Sequence, residues 1–194
     1  MQQINPTKIA IVYTTQCQHT LRLAESVAIG IDAVQITPQL INVQNLADID
    51  WPSIHKAQAI IFASPTYMGG ISGEMKLFFD KTGDFWLKQP WSNKIAAGMT
   101  VGTSPSGDKL GALIQMSIFA AQQGMIWVGQ NHTGSKHTDD NLGINNNGSW
   151  LGLMATSVDR DGSNNSELIS LQDQNTAQLF GQRVGEACKR WYGL

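Results

Sequence analysis

Residues 8–27 read KIAIVYTTQCQHTLRLAESV, and this stretch contains a strand, a loop and the start of a helix. The apolar run at 9–13 is typical of a buried strand, whereas the apolar residues after Thr20 recur at helical spacing. The first backbone N–H groups of a helix lack intrahelical partners and point into the preceding loop. This arrangement favours an anion, so the loop TTQCQHT predicts a phosphate site. The alternative is an ordinary turn in which Thr15 and Thr20 cap the helix.

The alternation of apolar runs and helical patterns continues along the chain. Further strands are predicted at 34–43, 59–63, 94–101 and 125–128, and further helices at 74–81, 110–123 and 172–190. This alternation indicates a parallel sheet with helices on both faces. Five strands favour an α/β three-layer sandwich with the flavodoxin-like order 2-1-3-4-5 over a six-stranded Rossmann sheet. We expect a single domain over residues 1–194, with a long polar loop insertion around 130–150.

Three polar loops follow predicted strands and should meet at one edge of this sheet. They read TTQCQHT, SPTYMGG and TSPSGD, and ligands of such sheets bind at the carboxyl ends of the strands. The third loop can also provide a helix cap, through Ser106 or Asp108. The candidate binding residues are Thr15, Gln16, Cys17, Gln18, His19 and Thr20 in the first loop, Pro65, Thr66, Tyr67, Met68, Gly69 and Gly70 in the second, and Thr103, Ser104, Pro105, Ser106, Gly107 and Asp108 in the third.

Composition argues against several classes of partner. The net charge is −2, and the 13 Lys and Arg residues form no basic stripe, so we expect no nucleic-acid binding. No apolar run is long enough for a membrane span, and the N-terminus lacks the apolar region of a signal peptide. With two cysteines in no framework pattern, these features predict a cytoplasmic protein. His132 and His137, near Asp139 and Asp140, fit no metal-binding spacing, so we expect no metal site.

The stretch SPTYMGGISGEMKLFFDKTGDFW resembles the flavodoxin-like NAD(P)H:quinone oxidoreductases, the branch named for the Trp-repressor-binding protein. That family has a Pro-Thr-x-x-Gly loop, then a Gly-x-Met/Phe-Lys/Arg helix, then Thr-Gly with an aromatic pair. The matching residues here are Pro65, Thr66, Gly69, Gly73, Met75, Lys76, Thr82, Gly83, Phe85 and Trp86. The resemblance implies a flavodoxin-like fold, bound FMN, two-electron reduction of quinones or similar small acceptors by NAD(P)H, and a homo-oligomer, either a dimer or a tetramer.

The resemblance also implies roles for the three loops. The first would take the FMN phosphate, the second would contact the ribityl chain and isoalloxazine, and the third would meet the pyrimidine edge. Trp86 stands where the family has a Trp beside the nicotinamide or quinone site, although it would equally suit a buried aromatic that closes the helix. Trp150 lies in a segment that shapes the family's flavin site across a subunit contact, or else in an ordinary returning strand. The resemblance provides no catalytic side chain.

Three departures from the family pattern stand in or near these loops. Gln18 replaces a glycine, SPSGD replaces a glycine-rich run, and Gln122 and Gln123 stand where the family has a His. If Gln18 requires a left-handed backbone, it is strained, and FMN binding is weakened. A family member that has lost FMN and serves as a non-catalytic binding module is therefore one alternative.

Two further alternatives concern the chemistry. A Cys-dependent phosphatase or arsenate reductase also carries a Cys after its first strand. Its chemistry requires an Arg after five intervening residues, a position that Leu23 occupies here. After Cys17 the nearest basic residue is Arg22, one position early, and one residue turns a helical side chain by about 100°. A flavodoxin-type electron carrier is the other alternative, although such carriers are usually strongly acidic, whereas the net charge here is −2.

Overall fold

The sheet of this protein is parallel along its main path, and its central strand is the third one in the chain. The computed structural model describes residues 8–134, 142–158 and 168–194. Its strands are β1 (Lys8–Tyr13), β2 (Thr37–Asn42), β3 (Ala59–Tyr67), β4 (Gly70–Ile71), β5 (Ile95–Gly102), β6 (Ile126–Trp127) and β7 (Leu153–Thr156). Its α-helices are α1 (His19–Ala33), α2 (Trp51–Lys56), α3 (Gly73–Lys81), α4 (Lys109–Gln122) and α5 (Leu171–Tyr192). The order β2-β1-β3-β5-β6 confirms the predicted topology.

The prediction of five strands was wrong in count, because the fifth position of the sheet is divided between two strands. β6 pairs with the start of β5, where Ile126 lies opposite Ile95, and β7 pairs with its end, where Leu153 lies opposite Met99. The predicted polar loop lies between these two halves, within 128–152. Trp127 joins its two ends, because its Nε1 donates to the Leu151 carbonyl at 2.7 Å. The remaining strand, β4, is a two-residue antiparallel extension of β3.

The described part of this polar loop is attached to α5. Asn145 is buried, and its backbone N–H donates to Thr176 Oγ1 at 3.0 Å. Its side chain accepts from the Ser149 N–H and donates to the carbonyls of His132 and Ser149. These bonds satisfy buried polar groups, each of which would cost about 1–3 kcal/mol of stability if it had no partner. His137, Asp139 and Asp140 lie outside the described residues.

Each face of the sheet carries its own apolar core. Side chains alternate along a strand, so Ile9 and Ile11 pack beneath α1 and α5, whereas Ala10 and Val12 face α2, α3 and α4. The first core depends on a close crossing of α1 and α5. A Cβ placed on Gly30 would lie 1.8 Å from the Gln178 carbonyl oxygen, so only glycine permits this approach.

The second core contains a group of aromatic rings around His55. The imidazole lies against Phe85, with ring centroids 4.8 Å apart, and its Nδ1 accepts from Trp91 Nε1 at 3.0 Å. Burial, followed by the nearby charge of Lys94, lowers the pKa of His55. Within the described residues no helix is long and apolar enough to span a bilayer. The same residues contain no group of three potential metal ligands.

Candidate functional site

The three predicted loops come together at the carboxyl edge of the sheet and line one cleft of about 370 Å³. This volume lies within the usual range of small-molecule sites. The lining residues are Thr15, Gln16, Cys17, His19, Thr20, Pro65, Thr66, Tyr67, Met68, Gly69, Val101, Gly102, Thr103, Ser104, Gly107, Asp108 and Ser157. As far as the structure describes the chain, this lining does not include Gln18, Gly70, Pro105 or Ser106. The loops thus form one site.

The first loop presents polar groups to the cleft. Thr15 is 9% exposed, and its Oγ1 is buried without a hydrogen-bond partner among the described residues. The N-cap of α1 is Gln18, with φ 63°, and no side chain of the described residues caps the helix there. Thr20 lies inside α1, and Thr15 Oγ1 bonds to no described backbone N–H, so the alternative in which Thr15 and Thr20 cap the helix is wrong.

A network of hydroxyl groups holds the first and second loops in place. Thr14 Oγ1 lies 3.0 Å from Ser72 Oγ, which in turn accepts from the Met75 N–H at the start of α3. The Ser72 N–H donates to Ser64 Oγ at 2.9 Å. These buried bonds join the ends of β1 and β3 to α3. The cleft is therefore built on rigid elements.

The second loop turns back through a strained backbone. Met68 has φ 45°, and its side chain is fully exposed. The thioether therefore makes no contribution to the packing of the described core. The Tyr67 hydroxyl donates to Gln16 Oε1 at 3.3 Å, and Gln16 Nε2 donates to Glu74 Oε1 at 3.4 Å. Burial, together with the charges of Cys17 and Glu74, raises the pKa of the Tyr67 phenol. Tyr67 is thereby kept neutral beside the cleft.

The third loop ends at Asp108, which has φ 54° and precedes α4. Asp108 occupies the N-cap position, but no described side chain caps α4 there, so the predicted capping role of Asp108 or Ser106 is wrong. Ser157 follows β7 and lines the same cleft, although it lies outside the three predicted loops. Its Oγ is buried and lacks a hydrogen-bond partner within the described part of the chain.

Cys17 lines the cleft without the basic partner that phosphatase chemistry requires. The Arg22 guanidinium lies 3.5 Å from Glu25 Oε2 along the outside of α1, and both side chains are about half exposed. Among the lining residues that the structure describes there is no arginine. The described lining therefore offers no guanidinium to surround an oxyanion beside Cys17, and its geometry does not support a Cys-dependent phosphatase.

Trp86 lines a different cavity, of about 400 Å³, between α3 and α4. Its Nε1 donates to the Gln122 carbonyl at 2.8 Å, and Gln123 Nε2 donates to Thr82 Oγ1 at 2.8 Å in the same region. The ring is 37% exposed, so it is not the fully buried aromatic of the alternative interpretation. Trp150 is 53% exposed. Within one chain, therefore, Trp86 and the three-loop cleft are separate.

Comparison with known proteins gives one family model and several relatives. Residues 51–139 match the model of the NADPH-dependent FMN reductases. Flavodoxin FldP of Pseudomonas aeruginosa is 33% identical, over 92% of this chain and 95% of the relative. The NAD(P)H dehydrogenase (quinone) of Archaeoglobus fulgidus is 26% identical, over 94% of this chain and 98% of the relative.

Solved structures support the same grouping. The flavodoxin, WrbA-like protein from Agrobacterium tumefaciens superimposes with a TM-score of 0.73 at 29% identity, covering 95% of this chain and 98% of that one. The Trp repressor binding protein from Bacillus subtilis gives 0.62 at 22% identity, covering 89% and 96%. The second likeness concerns the fold alone.

Proposed function

The chain belongs to the flavodoxin-like family of FMN-dependent oxidoreductases, and we propose that it reduces quinones or similar small acceptors by two electrons at the expense of NAD(P)H. The matching family model and the quinone dehydrogenase relatives support this reaction. FMN, when bound, supplies the hydride chemistry, and the protein supplies binding and orientation.

The observation that carries the proposal is the fit between the cleft and FMN. Two hydroxyl groups, Thr15 Oγ1 and Ser157 Oγ, are buried in the lining without partners among the described residues. Buried polar groups are normally satisfied, so both point to a ligand with complementary polar atoms. The start of α1, where His19 and Thr20 line the cleft, adds backbone N–H groups and the positive end of the helix dipole. A polar, phosphorylated cofactor matches these groups.

The first loop would hold the phosphate, because Thr15, Thr20 and the α1 backbone face the cleft at the helix start. Thr66, Tyr67 and Met68 would lie along the ribityl chain and the ring. The exposed Met68 then has a role, since a thioether packs well against a flat aromatic system. Thr103–Asp108 and Ser157 would provide hydroxyls and backbone groups for the polar ring edge. No side chain is required as an acid or base.

We also propose that the protein is a homo-oligomer, a dimer or a tetramer, that works in the cytoplasm. Helix α4 carries an exposed apolar stripe, formed by Leu110, Ile114 and Ile118 at four-residue spacing, with 54%, 41% and 62% of each side chain accessible. Such a stripe on a surface helix indicates a protein contact. If a second copy covers it, Ile118→Glu should lower the mass measured by analytical ultracentrifugation, and an unchanged mass would exclude this face.

The name of the 33% identical relative supports a second candidate, a flavodoxin-type electron carrier. A carrier exchanges single electrons with a protein partner and needs no NAD(P)H site. The net charge of −2 provides little of the acidic field by which carriers dock. We therefore rank quinone reduction first.

The deciding experiment uses the purified chain. We expect flavin absorption bands after FMN is added, and steady-state NAD(P)H oxidation that depends on both FMN and a quinone. Reduction of a one-electron protein partner, with no quinone turnover, would favour the carrier. A colourless protein that takes up no FMN would refute both functions and leave the non-catalytic module.

A further inference from the structure

Lys109, the first residue of α4, is buried directly behind the third loop. Its side chain has no exposed surface, which is rare for a lysine. Lys109 is not among the predicted binding residues. Its Nζ donates to the Pro105 carbonyl at 3.3 Å and to Thr156 Oγ1 at 2.7 Å. The ammonium group thus ties the third loop to the end of β7.

Asp173 of α5 provides the opposite charge. It is 7% exposed, its Oδ2 accepts from the Thr156 N–H at 3.0 Å, and its Oδ1 accepts from Asn147 Nδ2 at 3.2 Å. Thr156 therefore contacts both charged groups. Burial lowers the pKa of Lys109, and the Asp173 charge opposes this shift. Burial likewise raises the pKa of Asp173. The hydrogen bond from Thr156 and the charge of Lys109 oppose this shift.

The aliphatic end of Lys109 lies just behind the wall of the cleft. A Cβ built on Gly102 would be 3.4 Å from Lys109 Cε, and a Cβ on Gly107 would be 3.9 Å from the same atom. Gly102 and Gly107 both line the cleft. The lysine chain therefore packs against two glycines of the cleft lining, and a buried charge so near the cleft is screened far less than one in water.

We propose that Lys109 is a positioning residue that fixes the third loop and also raises the reduction potential of FMN bound in the cleft, with Asp173 moderating this effect. The inference rests on the proposed function. Reduction adds electron density to the cofactor, so a fixed positive charge behind the cleft favours the reduced form, and a negative charge opposes it. A purely structural role predicts no such dependence on the sign of the charge.

The test is the midpoint potential of FMN in the full-length protein, measured by spectroelectrochemistry for the wild type, Lys109→Met and Asp173→Asn. We expect Lys109→Met to lower the potential and Asp173→Asn to raise it. A tenfold change in the ratio of the FMN affinities, reduced over oxidised, corresponds to about 30 mV for a two-electron couple. Lys109→Arg keeps the charge and should hold the potential near that of the wild type.

Lys94→Met is the matched control. Lys94 is partly buried and also donates to backbone carbonyls, those of His55 and Ala57, but it precedes β5 at the opposite edge of the sheet. Its replacement should reduce stability and leave the FMN potential unchanged. If Lys109→Met fails to fold, the direction of the Asp173→Asn shift decides alone.

The outcomes separate this inference from the proposed function. A wild type that binds FMN, with an unchanged potential in both charge variants or shifts in the same direction, would overturn the inference and leave the function intact. A wild type that takes up no FMN would overturn both. Opposite shifts, together with an unaffected Lys94→Met control, would establish the electrostatic role.

Discussion

The crossing of α1 and α5 has glycine where close packing requires it, whereas the loops of the cleft have other residues where the backbone would favour glycine. At the crossing, Gly30 stands inside a regular helix, where glycine costs about 1 kcal/mol relative to alanine, because the α5 backbone leaves no room for a Cβ. In the loops that form the cleft, Gln18, Met68 and Asp108 hold positive φ angles that glycine would adopt more easily. Close packing therefore determines the first region, whereas the second tolerates backbone strain, as binding sites often do.

The largest effect should follow from breaking the packed region. Gly30→Ala would place a Cβ 1.8 Å from a backbone carbonyl oxygen that cannot move aside without shifting α5. We expect a loss of about 3 kcal/mol in the free energy of unfolding, the upper end for overpacked cores, which exceeds the gain in helix propensity. Urea denaturation followed by circular dichroism measures it.

A matched alanine replacement isolates the steric term. Gly73 begins α3, and no described atom lies within 4 Å of the Cβ that Gly73→Ala would add. This variant should keep or slightly increase the stability. Equal losses in both variants would show that the α1–α5 contact is not the cause.

The cleft should respond in the opposite manner, with loss of binding and little loss of stability. Thr15→Val keeps the shape of the side chain and removes a buried hydroxyl that has no partner among the described residues. A hydrogen bond to a charged group contributes about 1.5–3 kcal/mol, so we expect FMN affinity to fall by about 10- to 100-fold. Quenching of FMN fluorescence gives the dissociation constant.

The neighbouring residue provides the control. Thr14 Oγ1 is bonded to Ser72 Oγ, and Thr14 is buried, so Thr14→Val should reduce the free energy of unfolding by about 1 kcal/mol. If Thr15→Val destabilises the protein as much as Thr14→Val and leaves FMN affinity intact, the Thr15 hydroxyl is structural.

Much of the fold follows from local sequence patterns, because periodicity reports burial directly. The predicted helix at 110–123 and the observed α4 differ by one residue at each end. The second half of the fifth strand was predicted only as an alternative, the returning strand near Trp150, since β7 has only four residues and its pairing with β5 depends on a contact made across the polar loop. The short helix α2 carries local start signals, because Asp50 accepts from the Ser53 N–H at its N-cap and Pro52 stands in its first turn.

In the candidate site, too, local sequence signals could be predicted and contacts between distant segments could not. The three loops could be predicted, because each follows an apolar run and carries hydroxyls. Ser157 has the same signal, a hydroxyl directly after the run LMAT, but it was not among the predicted binding residues. The environment of Lys109 could not be predicted, because Thr156 and Asp173 are distant from it in sequence, and Thr156 bonds to both charged groups only after β7 and α5 are in place.

A smaller effect should follow from relieving strain in the cleft. Gln18→Gly suits the observed φ of 63°, but glycine also gains freedom in the unfolded chain, so we expect a net gain of about 0.5 kcal/mol in the free energy of unfolding. FMN binding should tighten as well, by about twofold, because the bound loop no longer holds a strained residue.

Gln35→Gly is its control, with the same residue type at nearly the same φ, 60°, beyond the other end of α1. It should alter stability alone. Weaker or unchanged FMN binding in Gln18→Gly would mean that strain at this position does not limit the affinity.

The smallest effect concerns pH, and it belongs to the packed region. Because the pKa of His55 is lowered in the folded state, the unfolded chain binds more protons below the ordinary value of 6.5. The free energy of unfolding should therefore hold its full value above pH 6.5 and decrease as the pH falls toward the lower folded-state pKa. Protonation would also prevent His55 Nδ1 from accepting the Trp91 bond.

His55→Gln keeps an acceptor for Trp91 without the titration. Urea denaturation at several pH values should show a shallower decrease below pH 6.5 for this variant than for the wild type. A residual slope is expected from His132, whose pKa is also lowered by burial and by Arg183. The same slope in both proteins would place the acid sensitivity outside the aromatic group around His55, and a change in FMN affinity at neutral pH would contradict the separation of the packed region from the cleft.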